Sequence, residues 1–289
     1  MTTQSSMFKT SAGQARYFTA YEATLTLWPV PIDSFDVVTR FGSTHLHVCG
    51  AADAPPLVLL PGQAISSTMW YPNIAALSRD YRVYALDIVG DMGKSVRTRP
   101  FADPTDFAVW LTDLLDELQI EQAHVAGLSY GGFIALRLAL SAAERVKKLV
   151  LMAPASLLAL RPRFFLRMAT MLLPAFVMSR QTKQRLLLGT YSPNAAPIIE
   201  QVMTTTDFRY NMYLPPVFSD ADLQQLSVPT LLLLGDQEVV YDYEAALKRA
   251  KDLIPGIETA VIPGAGHALN FDQPDLVNNH ILAFLKDSR

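Results

Sequence analysis

Four short apolar runs constrain this chain most: "PPLVLLPG" at 55–62, "QAHVAGL" at 122–128, "VKKLVLMAPA" at 146–155 and "VPTLLLLG" at 228–235. Each is strand length and shows little of the polar alternation of a half-solvated strand, so each reads as a strand covered on both faces. Between and after them lie helix-spaced segments: "DPTDFAVWLTDLLDELQI", "YGGFIALRLALSAAE", "YEAALKRAKDLI" and "PDLVNNHILAFLKDS". "RVYALDIVG" and "IETAVIP" supply further strands. Strand–helix alternation of this kind specifies an α/β fold, with a mostly parallel central sheet and helices on both faces. Ahead of it, residues 14–28 read as an amphipathic helix stopped by Pro29 and Pro31. "FDVVTRFGSTHLHVCG" reads as a hairpin around Phe41-Gly42-Ser43.

The alternation breaks between 157 and 226. This stretch opens with "LLALRPRFFLRMATMLLPAFVMSR", helical and apolar nearly all round, with Pro174 expected to kink or divide it. A core of 1–156 and 227–289 carrying a helical cap insertion of 157–226 fits a chain of 289 residues. The first part of the insert is basic: Arg161, Arg163, Arg167, Arg180, Lys183 and Arg185 stand against Glu200, a pattern expected of a solvated helix face. The whole chain has a net charge of −3 and no long basic run, which argues against a nucleic-acid partner. One cysteine, Cys49, excludes an internal disulfide. The first residues contain no apolar leader and no run reaches the ~18 apolar residues of a membrane span, so a cytoplasmic protein is expected.

Gly127-Leu128-Ser129-Tyr130-Gly131 places a serine at the join of a strand and a helix. The G-x-S-x-G spacing at such a join is that of a nucleophile elbow. A sharp turn projects the hydroxyl away from the sheet, and side chains two positions to either side would strike the neighbouring backbone. A serine hydroxyl needs a base, and the base an orienting acid. Of the five histidines, His124 lies in the strand entering the turn and His280 in the last helix, both expected to pack. His45 and His47 share a strand face with Cys49. That spacing could begin a metal site, but no partner ligands follow, and a solvated hairpin face is expected. His267 lies in the glycine-rich loop "PGAGHALNFDQP", after a strand and before the last helix. The acid should come from "LLLLGDQEVVYDYE". Asp242 and Glu244 belong to the following helix, which leaves Asp236 and Glu238.

These residues, in this order, resemble the α/β-hydrolase superfamily across nearly the whole chain. "MWYPNI", "DIVGDMGKS", "VFSDADL" and "LLGDQEVVYD" resemble bacterial carboxylesterases of the naproxen-esterase type. The resemblance implies a serine esterase working through an acyl-enzyme on a small-molecule ester, with no cofactor and no metal. Ser129 would be the nucleophile and His267 the base. Counting three residues from Gly235, as in the family pattern, makes Glu238 the acid. The family also implies an oxyanion hole of two backbone N–H groups, those of Tyr130 and Gln63. Phe164, Phe165, Met168 and Met171 on the cap would line an apolar acyl or aryl pocket. Two positions depart from the family pattern: Pro61-Gly62-Gln63 replaces a His-Gly, and Gly90-Asp91-Met92-Gly93 replaces a Gly-His-Gly turn. The same fold and triad also serve carbon–carbon bond hydrolysis, acyl transfer and receptor-like binding; repeated turnover of an ester separates an esterase from a receptor.

Overall fold

The structure is a computed structural model and describes residues 8–170, 177–204 and 213–286, with the side chains of Met168 and Arg180 excepted. In chain order its elements are α1 (Ser11–Leu25), β1 (Asp33–Thr39), β2 (Gly42–Cys49), β3 (Pro56–Leu60), α2 (Ile74–Leu77), β4 (Arg82–Leu86), β5 (Val96–Arg97), α3 (Asp106–Glu117), β6 (Ala123–Leu128), α4 (Tyr130–Ser141) and β7 (Val146–Met152). The insert contributes α5 (Pro162–Ala169), α6 (Arg180–Leu188), α7 (Ala196–Met203) and α8 (Asp220–Gln224). The chain then returns through β8 (Thr230–Gly235), α9 (Tyr243–Leu253), β9 (Glu258–Ile262), α10 (Leu269–Asp272) and α11 (Pro274–Lys286).

The strands form one sheet in the order β1-β2-β4-β3-β6-β7-β8-β9, with β5 added beside β2. From β4 to β9 every pairing is parallel, and the pairings made by β2 are antiparallel. Alternate residues of the central strands feed opposite faces. Val58, Leu60, Leu232 and Leu234 enter one apolar cluster with α3 and α4, while Leu57, Leu59, Leu231 and Leu233 enter the other with α11. This explains why those strands read as unbroken apolar runs.

The chain leaves β3 toward β4 on one side and returns to β6 on the other. Such a switch in strand order opens a crevice at the carboxyl ends of the two central strands. The loop after β3 and the turn after β6 both emerge there. The end of the insert behaves as core: Phe218, Leu223 and Leu226 are buried in the α3–α4 cluster. Arg249 of α9 binds both junctions of the insert, donating to the carbonyls of Leu157 and Phe218 and pairing with Asp220.

Two expectations are corrected. The hairpin turns at Arg40–Phe41, because Gly42, with φ 136°, already begins β2 and pairs with Thr39. The histidine face is not solvated: His45 and His47 are buried. Helix α1 folds back over His47, laying Tyr21 against its ring, and Trp28, just after the helix, packs on the same ring. Burial pushes His47 down to about 4. The Tyr21 hydroxyl donates to Asp87, so His47 Nε2, 2.7 Å from it, must carry the proton, and Nδ1 accepts from Ser34 at 2.6 Å.

Candidate active site

Strand β6 ends at Leu128 and α4 begins at Tyr130, so Ser129 makes the whole turn. It does so with φ 51° and ψ −110°, a backbone region that side chains disfavour. The strain is held by hydrogen bonds on both sides. The Ser129 N–H donates to the Met152 carbonyl at 2.8 Å, and its carbonyl accepts from Ala155 at 2.9 Å and Phe133 at 3.1 Å. A Cβ on Gly127 would run into the Gly131 carbonyl, and one on Gly131 into the Leu60 carbonyl. The glycine spacing is therefore a steric requirement of the turn.

His267 Nε2 lies 2.9 Å from Ser129 Oγ, and Nδ1 lies 2.7 Å from Glu238 Oε2. An ionised carboxylate only accepts, so Nδ1 carries the hydrogen and the Nε2 lone pair faces the serine. The Glu238 side chain is 0% exposed. Its second oxygen accepts the N–H groups of Val239 and Val240, both at 2.8 Å. Those two bonds fix the carboxylate with one oxygen left for His267. Asp236 is engaged elsewhere: its carboxylate accepts from Gly264 at 2.9 Å and ties the turn after β9 to the end of β8.

The insert grips both of these loops. The His267 N–H donates to the carbonyl of Leu188, the last residue of α6, at 2.7 Å. Gly189 ends that helix with φ 88°, and a Cβ on it would strike the Gln237 carbonyl beside Glu238. A Cβ on Gly266 would strike Leu188. The Thr190 hydroxyl donates to Asp272 at 2.6 Å, and the same carboxylate oxygen accepts from Gly266 at 2.8 Å. The sequence does not predict these contacts. Their one trace there is Gly189 itself, which reads as a helix-ending glycine and gives no hint of its partner.

Tyr130 is the first residue of α4, so its N–H has no acceptor within the helix. The Gln63 N–H makes no backbone hydrogen bond among the described residues. The Gln63 side chain reaches the insert, donating to the Tyr213 carbonyl at 2.7 Å. The next residue, Ala64, has φ 61°. Its N–H is directed at both carboxylate oxygens of Asp91, at 3.1 and 3.2 Å, and Asp91 Oδ1 also accepts from Met92 at 2.7 Å. Burial pushes Asp91 up to about 7, against the effect of the two amides and assisted by the nearby Asp87.

Of the residues expected to line the pocket, Phe164 is half-buried and packs against the α3–α4 cluster. Phe165 is 49% exposed, with its ring 6.3 Å from that of Phe164. Met171 and the side chain of Met168 lie outside the described residues. His124 is buried and pushed down to about 4 by burial, and His280 is half-buried on α11.

The arrangement has counterparts among known proteins. The sequence profile of the Alpha/beta hydrolase family matches residues 57–280. The chain is 39% identical to the uncharacterized carboxylesterase nap of Bacillus subtilis strain 168, covering 97% of this chain and 95% of that protein. Among solved structures, naproxen esterase (carboxylesterase NP) from Bacillus subtilis is 38% identical with a TM-score of 0.85, covering 96% of this chain and 99% of that one. Carboxylesterase CesB (YbfK) from the same organism is 35% identical, also with a TM-score of 0.85, over 95% of this chain and 99% of its own. The chain belongs to the α/β hydrolase family.

Proposed function

We propose that this protein is a carboxylic ester hydrolase that works through an acyl-enzyme on Ser129. The observation that carries this reading is the line from Ser129 Oγ through His267 to Glu238, with contacts of 2.9 and 2.7 Å. The likeness to carboxylesterases over nearly the whole chain supports the same chemistry.

Ser129 Oγ attacks the ester carbonyl as its proton passes to His267 Nε2. Glu238 holds the other ring nitrogen protonated and stabilises the imidazolium. The negative charge on the tetrahedral oxygen falls toward the N–H groups of Tyr130 and Gln63, with the start of α4 adding its favourable dipole. His267 returns its proton to the leaving alcohol. It then takes one from the water that attacks the acyl-serine, releasing the acid and restoring the hydroxyl. Protein groups supply every proton transfer, and no metal or cofactor is invoked.

The substrates are esters of apolar acyl or aryl groups, a reading supported by the half-buried Phe164 at the entry to a cap rich in aromatic and methionine side chains. Residues 1–156 and 227–289 form the catalytic core, and 157–226 the cap. The single buried Cys49, its thiol pushed up to about 11 by burial, is compatible with the cytoplasm as the site of action.

Steady-state hydrolysis of a graded series of p-nitrophenyl esters tests the reading. Repeated turnover, with kcat/KM rising from acetate toward longer acyl chains, is expected. A single stoichiometric burst would favour a binding protein. Phe164→Ala should change the long-to-short ratio by an amount equivalent to about 1–3 kcal/mol if that ring touches the acyl chain.

A further inference from the structure

Asp91 is buried, and no cation pairs with it among the described residues. A lone carboxylate in such a place costs stability, so its retention calls for an explanation in what it holds. It accepts two backbone amides, Met92 in its own turn and Ala64 in the loop after β3. Ala64 lies one residue beyond Gln63, the proposed oxyanion donor, and sits at φ 61°, where a residue with a Cβ is strained. The peptide joining Gln63 to Ala64 is planar, so aiming the Ala64 N–H at Asp91 fixes the plane that follows Gln63. That plane in turn restricts the direction of the Gln63 N–H. At its other end Gln63 is pinned by its side chain to Tyr213.

We infer that Asp91 is a positioning residue for the oxyanion hole: its carboxylate holds Ala64 in the left-handed region and thereby aims the Gln63 N–H at the developing oxyanion. This rests on the esterase reading above. The ionised form is the stronger acceptor, because hydrogen bonds to a charged oxygen are about twice as strong as neutral ones. Among the described residues, the titratable groups facing Asp91 are Asp87 of the same turn, Tyr17 of α1 and Tyr130 of α4. Each of these is an acid, and any charge on it opposes ionisation of Asp91. With the group pushed up to about 7, raising the pH through neutrality ionises it in the folded protein and tightens the loop. Activity should therefore rise with pH across that range through Asp91, separately from the requirement that His267 be neutral.

The test compares wild type, Asp91→Asn, Ala64→Gly and the double variant in p-nitrophenyl ester hydrolysis from pH 5 to 9, and in affinity for a reversible boronic-acid inhibitor. Asp91→Asn should lower kcat and boronate affinity together by roughly ten- to a hundredfold, with KM nearly unchanged, since a misplaced donor is missed chiefly in the transition state. The Asp91-linked step near pH 7 should vanish from its profile. Glycine takes φ above zero without strain. The Asp91→Asn loss should accordingly shrink in the Ala64→Gly background, a rescue that general destabilisation would not give. Should Asp91→Asn fail to fold, the wild-type profile against that of Ala64→Gly decides alone, the step near pH 7 being expected in the first and diminished in the second. An Asp91→Asn protein with wild-type kcat and pH profile overturns the inference, as does a loss that Ala64→Gly leaves untouched. Wild type that turns over no ester overturns the esterase reading, and this inference with it.

Discussion

Ser129 and His267 meet at 2.9 Å, yet different parts of the chain hold them. Every hydrogen bond that fixes the Ser129 backbone comes from its own helix or from the end of β7 and the residues just after it, and the glycines around it abut carbonyls of α4 and β3. His267 and Glu238 stand on loops whose backbones are gripped by the insert, through the Leu188 carbonyl, Gly189 and the Thr190–Asp272–Gly266 bridge. Ser129 is thus held within the sheet and its own helix, and His267 rests partly on an excursion from them. An insert attached this way supports the loops of His267 and Glu238. Disturbing it should alter the base and acid while the elbow stays intact.

The largest expected effect lies on the core side. Ser129→Ala should lower kcat by about a millionfold, as loss of the nucleophile does in the best-studied serine hydrolase. Circular dichroism should stay that of wild type, and the melting temperature should not fall, because the substitution removes one hydroxyl. Next is Glu238→Gln, which should cost about 10⁴ in kcat by losing the charge that orients His267. Asp236→Asn should cost far less, since among the described residues its carboxylate bonds to the Gly264 turn. A large loss in Asp236→Asn beside near-normal Glu238→Gln would reverse the assignment.

Gly189→Ala disturbs the support of His267 while leaving that of Ser129 intact. Its Cβ would push the end of α6 away from Gln237 and draw Leu188 off His267. A displacement of about 1 Å at the base costs roughly a hundredfold in kcat. An activity loss of that order with native circular dichroism is the expected outcome; unaltered kcat would mean that the insert does not support the base. The smallest effect is at the entry to the insert. Arg161 pairs with Asp242 at 2.7 Å, but both side chains are partly exposed. Arg161→Ala should change stability by less than about 1 kcal/mol, read by urea denaturation.

The same division decides how much the sequence discloses. The elbow is legible because sterics place glycine at fixed offsets from Ser129, all within one short segment. His267 follows from chain order. Glu238 needed the family's count from Gly235, because a lone loop carboxylate looks like its neighbour Asp236 until its amide partners are known. The contacts of Leu188 and of Ala64 were invisible, since they run through backbone groups that any residue supplies. The burial of His47 depends on α1 returning across the sheet, and strand periodicity cannot say which helix will cover a face. In the sequence Asp91 stands out only as a departure from the family turn; its proposed role depends on Ala64, 27 residues earlier in the chain.

In the proposed mechanism ester cleavage passes through a covalent bond to Ser129. Treating the protein with a fluorophosphonate, following residual turnover of a p-nitrophenyl ester and mapping the modified peptide tests it directly. One phosphonyl group per chain on Ser129, with turnover lost in step with labelling, is the predicted result. Full turnover after stoichiometric labelling, or a label on another residue accompanied by loss of activity, would contradict it.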